Sequence, residues 1–249
     1  MSQSAENIYL ITGTTRGIGL ALVDQFASKD PSAVVYAGAR NPYGPGSTKL
    51  KHIANKYPGR VIIVKCVSGD KEINEALAKE IFARHGRVDT VISNAAISNY
   101  IGKIHEAPVN EFPEHFAVNT VGAIVLFQSF YALLKASPYP RFIPISSGGG
   151  SIGLVPSFTP LDMAPYGPSK AALNWVARKI HFENEWLVCF PLCPGGVNTD
   201  MGILDAEQVE KLTRTPTEAA SLLVDIIRAS TREKDGGTFV SIEGGKHPW

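Results

Sequence analysis

The segment Ala164–Lys179 reads APYGPSKAALNWVARK and sets Tyr166 four residues ahead of Lys170. Pro168 cannot lie deep in a helix, because it lacks an N–H and clashes with the preceding turn. The helix therefore starts near Pro165–Tyr166, with Tyr166 in its first turn and Lys170 one turn on, on the same face. The positive helix end and a nearby ammonium both favour phenolate, so the Tyr166 pKa is expected below its ordinary ~10. Such a phenol can act as a general acid. The competing reading is a core aromatic at the head of an amphipathic helix.

A second cluster lies near the N-terminus. ITGTTRGIG places Gly13, Gly17 and Gly19 where the first apolar run turns into a helix. Gly13 permits a tight turn, and the others let backbone approach a pyrophosphate and let the helix pack closely. The phosphate would sit at the helix N-terminus, against free N–H groups and the positive dipole end. The second apolar run ends YAGAR. An NAD-binding fold usually places an acid there for the ribose 2′-hydroxyl. Arg40 stands in that region instead, and Arg16 lies inside the glycine loop. Two guanidiniums can clamp a 2′-phosphate, which points to NADP(H) rather than NAD(H). The alternative is an ordinary turn flanked by two solvated arginines.

These residues need a scaffold, and the alternation of the chain supplies one. Short apolar runs, namely Ile8–Thr12, Ala33–Ala39, Val61–Val67, VDTVISNAA, RFIPISS, WLVCFPLCPGG and GTFVSIEGG, alternate with helical stretches. KEINEALAKEIFARHG has helix-spaced Ile73, Leu77, Ile81 and Phe82, and Gly86 closes it. The pattern predicts βαβ units: an α/β doubly wound parallel sheet of about seven strands, with helices on both faces. PISSGGG ends the strand before the Tyr166 helix. That helix start therefore lies at the carboxyl edge of the sheet, where open α/β folds bind ligands.

Composition is consistent with this. The chain has 249 residues, 44% apolar and 19% charged, enough to bury a core. With no linker or repeat, residues 1–249 read as a single domain. A net charge of +1 makes no electrostatic case for nucleic acid or anionic membrane. Apolar runs such as Ala123–Phe127 are far short of a membrane span. Cys66, Cys189 and Cys193 lack zinc spacing, so no metal site is expected, and they read as reduced small hydrophobes. The N-terminal stretch has no basic and apolar leader pattern, and the expected location is the cytoplasm.

Taken together, TGTTRGIG, SNAA (93–96), VNTVG with Asn119, ISS (145–147), YGPSK and PGGVNTDM (194–201) identify the chain as resembling the short-chain dehydrogenase/reductase family over essentially its whole length. HFENEW (181–186) and GGKHPW (244–249) resemble a subgroup containing norsolorinic acid ketoreductases and sniffer-type carbonyl reductases. The resemblance implies a single-domain Rossmann fold and hydride transfer between NADP(H) and a carbonyl or alcohol. It implies that Tyr166 is the general acid and that Lys170 lowers its pKa and holds the nicotinamide ribose. Ser147 would hold the substrate oxygen, with Ser146 in reserve, and Asn119 would hold a water linking Lys170 to solvent. Gly13, Thr15, Arg16, Gly17, Ile18, Gly19 and Arg40 would bind the cofactor. Asn94 would stabilise the sheet and Ala95 line the cofactor. Pro194 and Gly195 would form a turn around the nicotinamide, with Val197 and Thr199 near its carboxamide. The following segment, GILDAEQVEKL, would form a lid.

Two departures from the family pattern matter. Val67 stands where the family usually has an adenine-holding Asp, leaving that contact to Ser68 or to backbone. The loop between Ser147 and Tyr166 is longer than common, and Leu154, Val155, Phe158 and Met163 are expected at the substrate mouth with Met201, Ile203 and Leu204. An apolar, aromatic-bearing mouth suits a bulky apolar or aromatic ketone, of the kind met in polyketide or secondary metabolism. The competing functions are a non-catalytic NADP(H)-binding regulator and a cyclase on the same fold. Assembly into a homodimer or homotetramer through Asn119–Lys135 and Tyr166–Glu183 is expected from the family.

Overall fold

A computed structural model describes residues 6–158, 161–201 and 214–249. The chain opens with β1 (Asn7–Thr12), α1 (Gly17–Lys29), β2 (Ala33–Ala39), α2 (Thr48–Lys56) and β3 (Val61–Lys65). Next come α3 (Lys71–His85), β4 (Thr90–Ser93), α4 (Glu111–Phe116), α5 (Gly122–Lys135) and β5 (Arg141–Pro144). The short α6 (Val155–Phe158) precedes α7 (Tyr166–Glu183), β6 (Val188–Cys189) and β7 (Leu192–Cys193). Last are α8 (Pro216–Ala229), β8 (Phe239–Ser241) and β9 (Lys246–His247).

Local chemistry explains the boundaries. Asp70 caps α3 by accepting from the Ile73 N–H at 3.0 Å, and Gly86 closes it at φ 69°. Thr215 and Glu218 form a reciprocal capping box at α8, with Pro216 just inside. α7 begins at Tyr166, as Pro168 requires.

The central sheet is parallel, in the order β3-β2-β1-β4-β5-β6. Every residue of β2 is buried, because helices cover both faces. Leu22 and Phe26 of α1 pack with Leu223 and Val224 of α8 on one face. Leu77 and Ile81 of α3, Leu126 and Phe130 of α5 and Ile180 of α7 fill the other. The helical run Glu111–Lys135 is long and apolar enough to cross a membrane by length and composition. Here Leu126, Phe130 and Leu134 place that apolarity in the core.

The seven expected runs are all present, with one rearrangement. WLVCFPLCPGG is split at Phe190–Pro191 into β6 and β7, because Pro191 has no N–H for a ladder. The seven-strand expectation therefore resolves into six strands plus a small sheet β7-β8-β9. A bridge between Ile145 and Leu192 joins the two. The antiparallel strand β9 was not expected from the sequence.

Candidate active site

The sheet order reverses at β1 and β4, and the loops leaving these strands build one wall of a cleft of about 570 Å³. Gly13 sits at φ 70°, and a Cβ there would lie 2.8 Å from the Ala95 Cα. A Cβ on Gly19 would overlap the Gly13 carbonyl oxygen. Asn94 ties the two loops together. Its Nδ2 donates to the Thr12 carbonyl at 2.9 Å and to that of Gly13 at 3.3 Å. The Asn94 and Ala95 amides both donate to Thr12 Oγ1 at 3.0 Å. At the start of α1, Arg16 makes no side-chain cap bond and the first turn holds no acid. Its free N–H groups and dipole end form an anion-binding start.

Thr15, Ile18, Ala95 and the three glycines line the cleft, with Arg16, Arg40, Val67 and Ser68 on the same lining. Both arginines are exposed, and neither meets a carboxylate within ion-pair distance among the described residues. Tyr166, Lys170, Pro194, Thr199 and Met201 line it too. Gly195 makes the turn at φ 70°. Val197 is different: it pairs with Arg214 and packs on the hydrophobic core rather than lining the cleft.

Strand β5 and helix α7 bring the chemistry together. Ser147 leaves the end of β5; its hydroxyl accepts the Gly149 N–H at 3.1 Å and lies close enough to the Tyr166 hydroxyl to favour its ionised form. Ser146 lines the cleft, where Ser147 does not, but its hydroxyl is turned inward and donates to Asn174 Oδ1 at 2.5 Å. Of the two serines only Ser147 meets the tyrosine. Lys170 is buried, donates to the Ile145 carbonyl at 2.8 Å, and has its Nζ 5.6 Å from the Tyr166 ring centroid.

Electrostatics correct one expectation. Burial pushes the Tyr166 hydroxyl above its ordinary pKa, and the nearby Ser147 hydroxyl only partly offsets this. Burial also lowers Lys170 to about 7. Sequence reasoning counted the ammonium and the helix dipole but could not see the desolvation that outweighs them.

The Lys170 shift also makes stability depend on pH. Between about 7 and 10.5 the unfolded lysine holds a proton that the folded one has released, so stability rises with pH across that window. Denaturant melts from neutral to alkaline pH should show this rise in the native protein relative to Lys170→Met. Parallel pH profiles for the two proteins would contradict the shift.

Asn119 lies in a π-helical turn, Ala117–Val121, set between α4 and α5. Such turns free backbone groups and concentrate at functional sites. Its Nδ2 donates to the Ile97 carbonyl and to Ser169 Oγ, both at 3.0 Å, and its Oδ1 accepts the Ile97 N–H at 2.8 Å. Ser169 in turn donates to the Tyr166 carbonyl at 2.7 Å. Asn119 thus braces the first turn of α7 against the loop after β4.

Gly148–Gly150 and Cys193, the latter expected only as a small hydrophobe, also shape the site. A Cβ on Gly148 would meet the Phe158 ring at 2.7 Å, one on Gly149 the Met163 Sδ at 2.5 Å, and one on Gly150 the Lys170 backbone at 2.7 Å. Three consecutive glycines after a serine pair were the available signal. Cys193 is buried, and its Sγ accepts the Gly148 N–H at 3.2 Å, holding the Ser147 turn.

A second cavity of about 410 Å³, mostly apolar, lies against this turn and is lined by Val155, Phe158, Leu161 and Met163 among others. Leu154 is not part of its lining. Met201 lines the first cleft instead, and Ile203, Leu204 and the lid segment fall outside the described residues. No group of three or more His, Cys, Asp or Glu able to hold a metal occurs among the described residues.

Comparison with known proteins accords with this geometry. The family described as short chain dehydrogenase matches residues 7–210. Norsolorinic acid ketoreductase of Aspergillus parasiticus is 32% identical over 98% of this chain and 92% of its own. Its counterpart in Emericella nidulans is 31% identical over 100% and 95%. Among solved structures, the NADPH-bound carbonyl reductase from chicken fatty liver has a TM-score of 0.88 at 29% identity, covering 99% of this chain and 100% of that one. The carbonyl reductase Sniffer of D. melanogaster shares the fold, with a TM-score of 0.86 at 23% identity over 98% and 100%. With the glycine cradle, the Tyr166–Lys170 helix and a matching profile over most of its length, the chain belongs to the short-chain dehydrogenase family.

Proposed function

We propose that this protein is an NADPH-dependent ketoreductase acting on a bulky apolar or aromatic ketone. One observation carries the reading: Tyr166, beside Ser147 and one turn from Lys170, lines the same cleft as the glycine cradle and two guanidiniums that meet no carboxylate among the described residues. The residues fit the cofactor. A Cβ would fill the cradle at Gly13, the start of α1 has no side-chain cap bond from Arg16, and Arg16 and Arg40 can meet a 2′-phosphate. The relatives named ketoreductases and carbonyl reductases, one of them NADPH-bound, support the same choice.

When bound, NADPH supplies the hydride. Tyr166 holds a proton at its hydroxyl and passes it to the carbonyl oxygen; the raised pKa keeps that proton in place at neutral pH. Ser147 orients the same oxygen and offsets the charge that develops on it. Lys170, near its own pKa at neutrality, is suited to return a proton toward Tyr166. A water relay through Asn119 would use its Oδ1 or main chain, since both Nδ2 hydrogens are committed. The second cavity, with Phe158 and Met163, is assigned to the apolar part of the ketone. Exposed Val121, Tyr131, Trp175 and Phe182 on α5, α7 and the π turn fit a homodimer or homotetramer.

The test is NADPH oxidation across aryl ketones, diketones and quinones. Turnover on at least one class is expected. Tight NADPH binding without turnover on any would move the assignment to a regulator or cyclase.

A further inference from the structure

The motif GGKHPW has so far no role in the chemistry. Gly244 and Gly245 turn the chain into β9, which pairs antiparallel with β8 through Val240–Lys246 and Phe239–His247. Beyond it the Trp249 ring stacks on Phe239 at 6.0 Å between centroids, tilted by 21°. The Arg178 guanidinium of α7 covers the same ring at 4.8 Å. Phe239 is buried, so Trp249 is fastened to both sheet and helix.

From that anchor two main-chain carbonyls reach across to the loop that follows the Ser147 turn. Ser151 Oγ donates to the Pro248 carbonyl at 2.6 Å, and the Gly153 N–H donates to the Trp249 carbonyl at 2.7 Å. Ser151 is 1% exposed and also accepts the Leu154 N–H at 3.2 Å. The approach is close enough that a Cβ on Gly153 would lie 3.0 Å from Pro248. At its far end the loop is held again, by the Gly102 N–H donating to the Asp162 carbonyl at 2.9 Å. Between these two fixings lies Phe158, and just beyond the second lies Met163; their side chains rest on Gly148 and Gly149 beside Ser147.

We propose that Pro248–Trp249 is a positioning clamp for the substrate-side loop and sets the KM for the ketone. This rests on the ketoreductase reading above. Trp249 touches none of the reacting groups; it acts through Ser151 and Gly153 on the wall formed by Phe158 and Met163. A displacement of about 1 Å in groups that orient substrate is enough to cost a large factor in rate or affinity.

Trp249→Ala is expected to raise the ketone KM about tenfold, with kcat within about threefold and NADPH affinity within about twofold. Trp249→Phe, which keeps a ring on Phe239 and under Arg178, should restore most of the KM. Hydrogen exchange gives a readout independent of turnover: the Gly153 amide should exchange faster in Trp249→Ala than in the native protein. An unchanged KM in Trp249→Ala, even with a lower melting temperature, would reduce the segment to a structural role and overturn the proposal. So would unchanged exchange at Gly153. If the native protein reduces no ketone, the ketoreductase reading fails and the KM claim falls with it; the exchange result then shows separately whether the clamp itself exists.

Discussion

Tyr166→Phe is expected to lower ketone turnover by about 10²–10⁴-fold while leaving NADPH affinity within about twofold. The substitution removes one hydroxyl and keeps the ring. Lys170 retains the Ile145 carbonyl, and Ser147 retains the Gly149 N–H, so the turn and the helix start keep their remaining bonds. What disappears is the hydroxyl beside Ser147 that is proposed to donate the proton. The loss should fall on kcat, because the proton is delivered in the transition state rather than on binding. Steady-state rates alongside a fluorescence titration with NADPH separate the two. A variant that kept its rate would mean that another group protonates the product.

Arg16 and Arg40 carry the second large effect. Hydrogen bonds to charged groups contribute about 1.5–3 kcal/mol when well formed, and exposure to solvent favours the lower end. Arg40→Ala is therefore expected to weaken NADPH about tenfold, and Arg16→Ala with Arg40→Ala about 100-fold, with NADH affinity within about twofold. Added salt should weaken NADPH more than NADH in the native protein, since screened exposed charges are at stake. Competitive titration of the two cofactors checks this. Equal losses for both would assign the arginines to the shared pyrophosphate rather than to the 2′-phosphate.

Much of this site was legible in the chain because its punctuation is local. Pro168 fixes where α7 begins, and that alone puts Tyr166 and Lys170 at the sheet edge. Gly13 and Gly19 mark the cradle because the close approach of Ala95 and of the Gly13 carbonyl tolerates no side chain there. Asn94 and Ser147 fall where the ordering of strands places them. Other features depend on neighbours distant in sequence. The split at Pro191 was visible as a residue, but not its effect on an edge shared with β8. The π turn at Asn119 spans only Ala117–Val121, too short a stretch for a hydrophobic pattern read over several turns to reveal. The pKa of Tyr166 turned on burial rather than on the charges written nearby. The crowding at Gly148–Gly150 comes from Phe158, Met163 and the α7 backbone, which the sequence around the glycines does not reveal.

Hydride transfer is the central claim, and isotope labelling reaches it most directly. The protein would be incubated with NADPH deuterated at the nicotinamide C4 and with aryl ketones, and the products read by mass spectrometry. Deuterium on the carbinol carbon of the alcohol, from one C4 face only and formed far more slowly with Tyr166→Phe, is the expected result. Bound NADPH with no labelled alcohol from any ketone would contradict it.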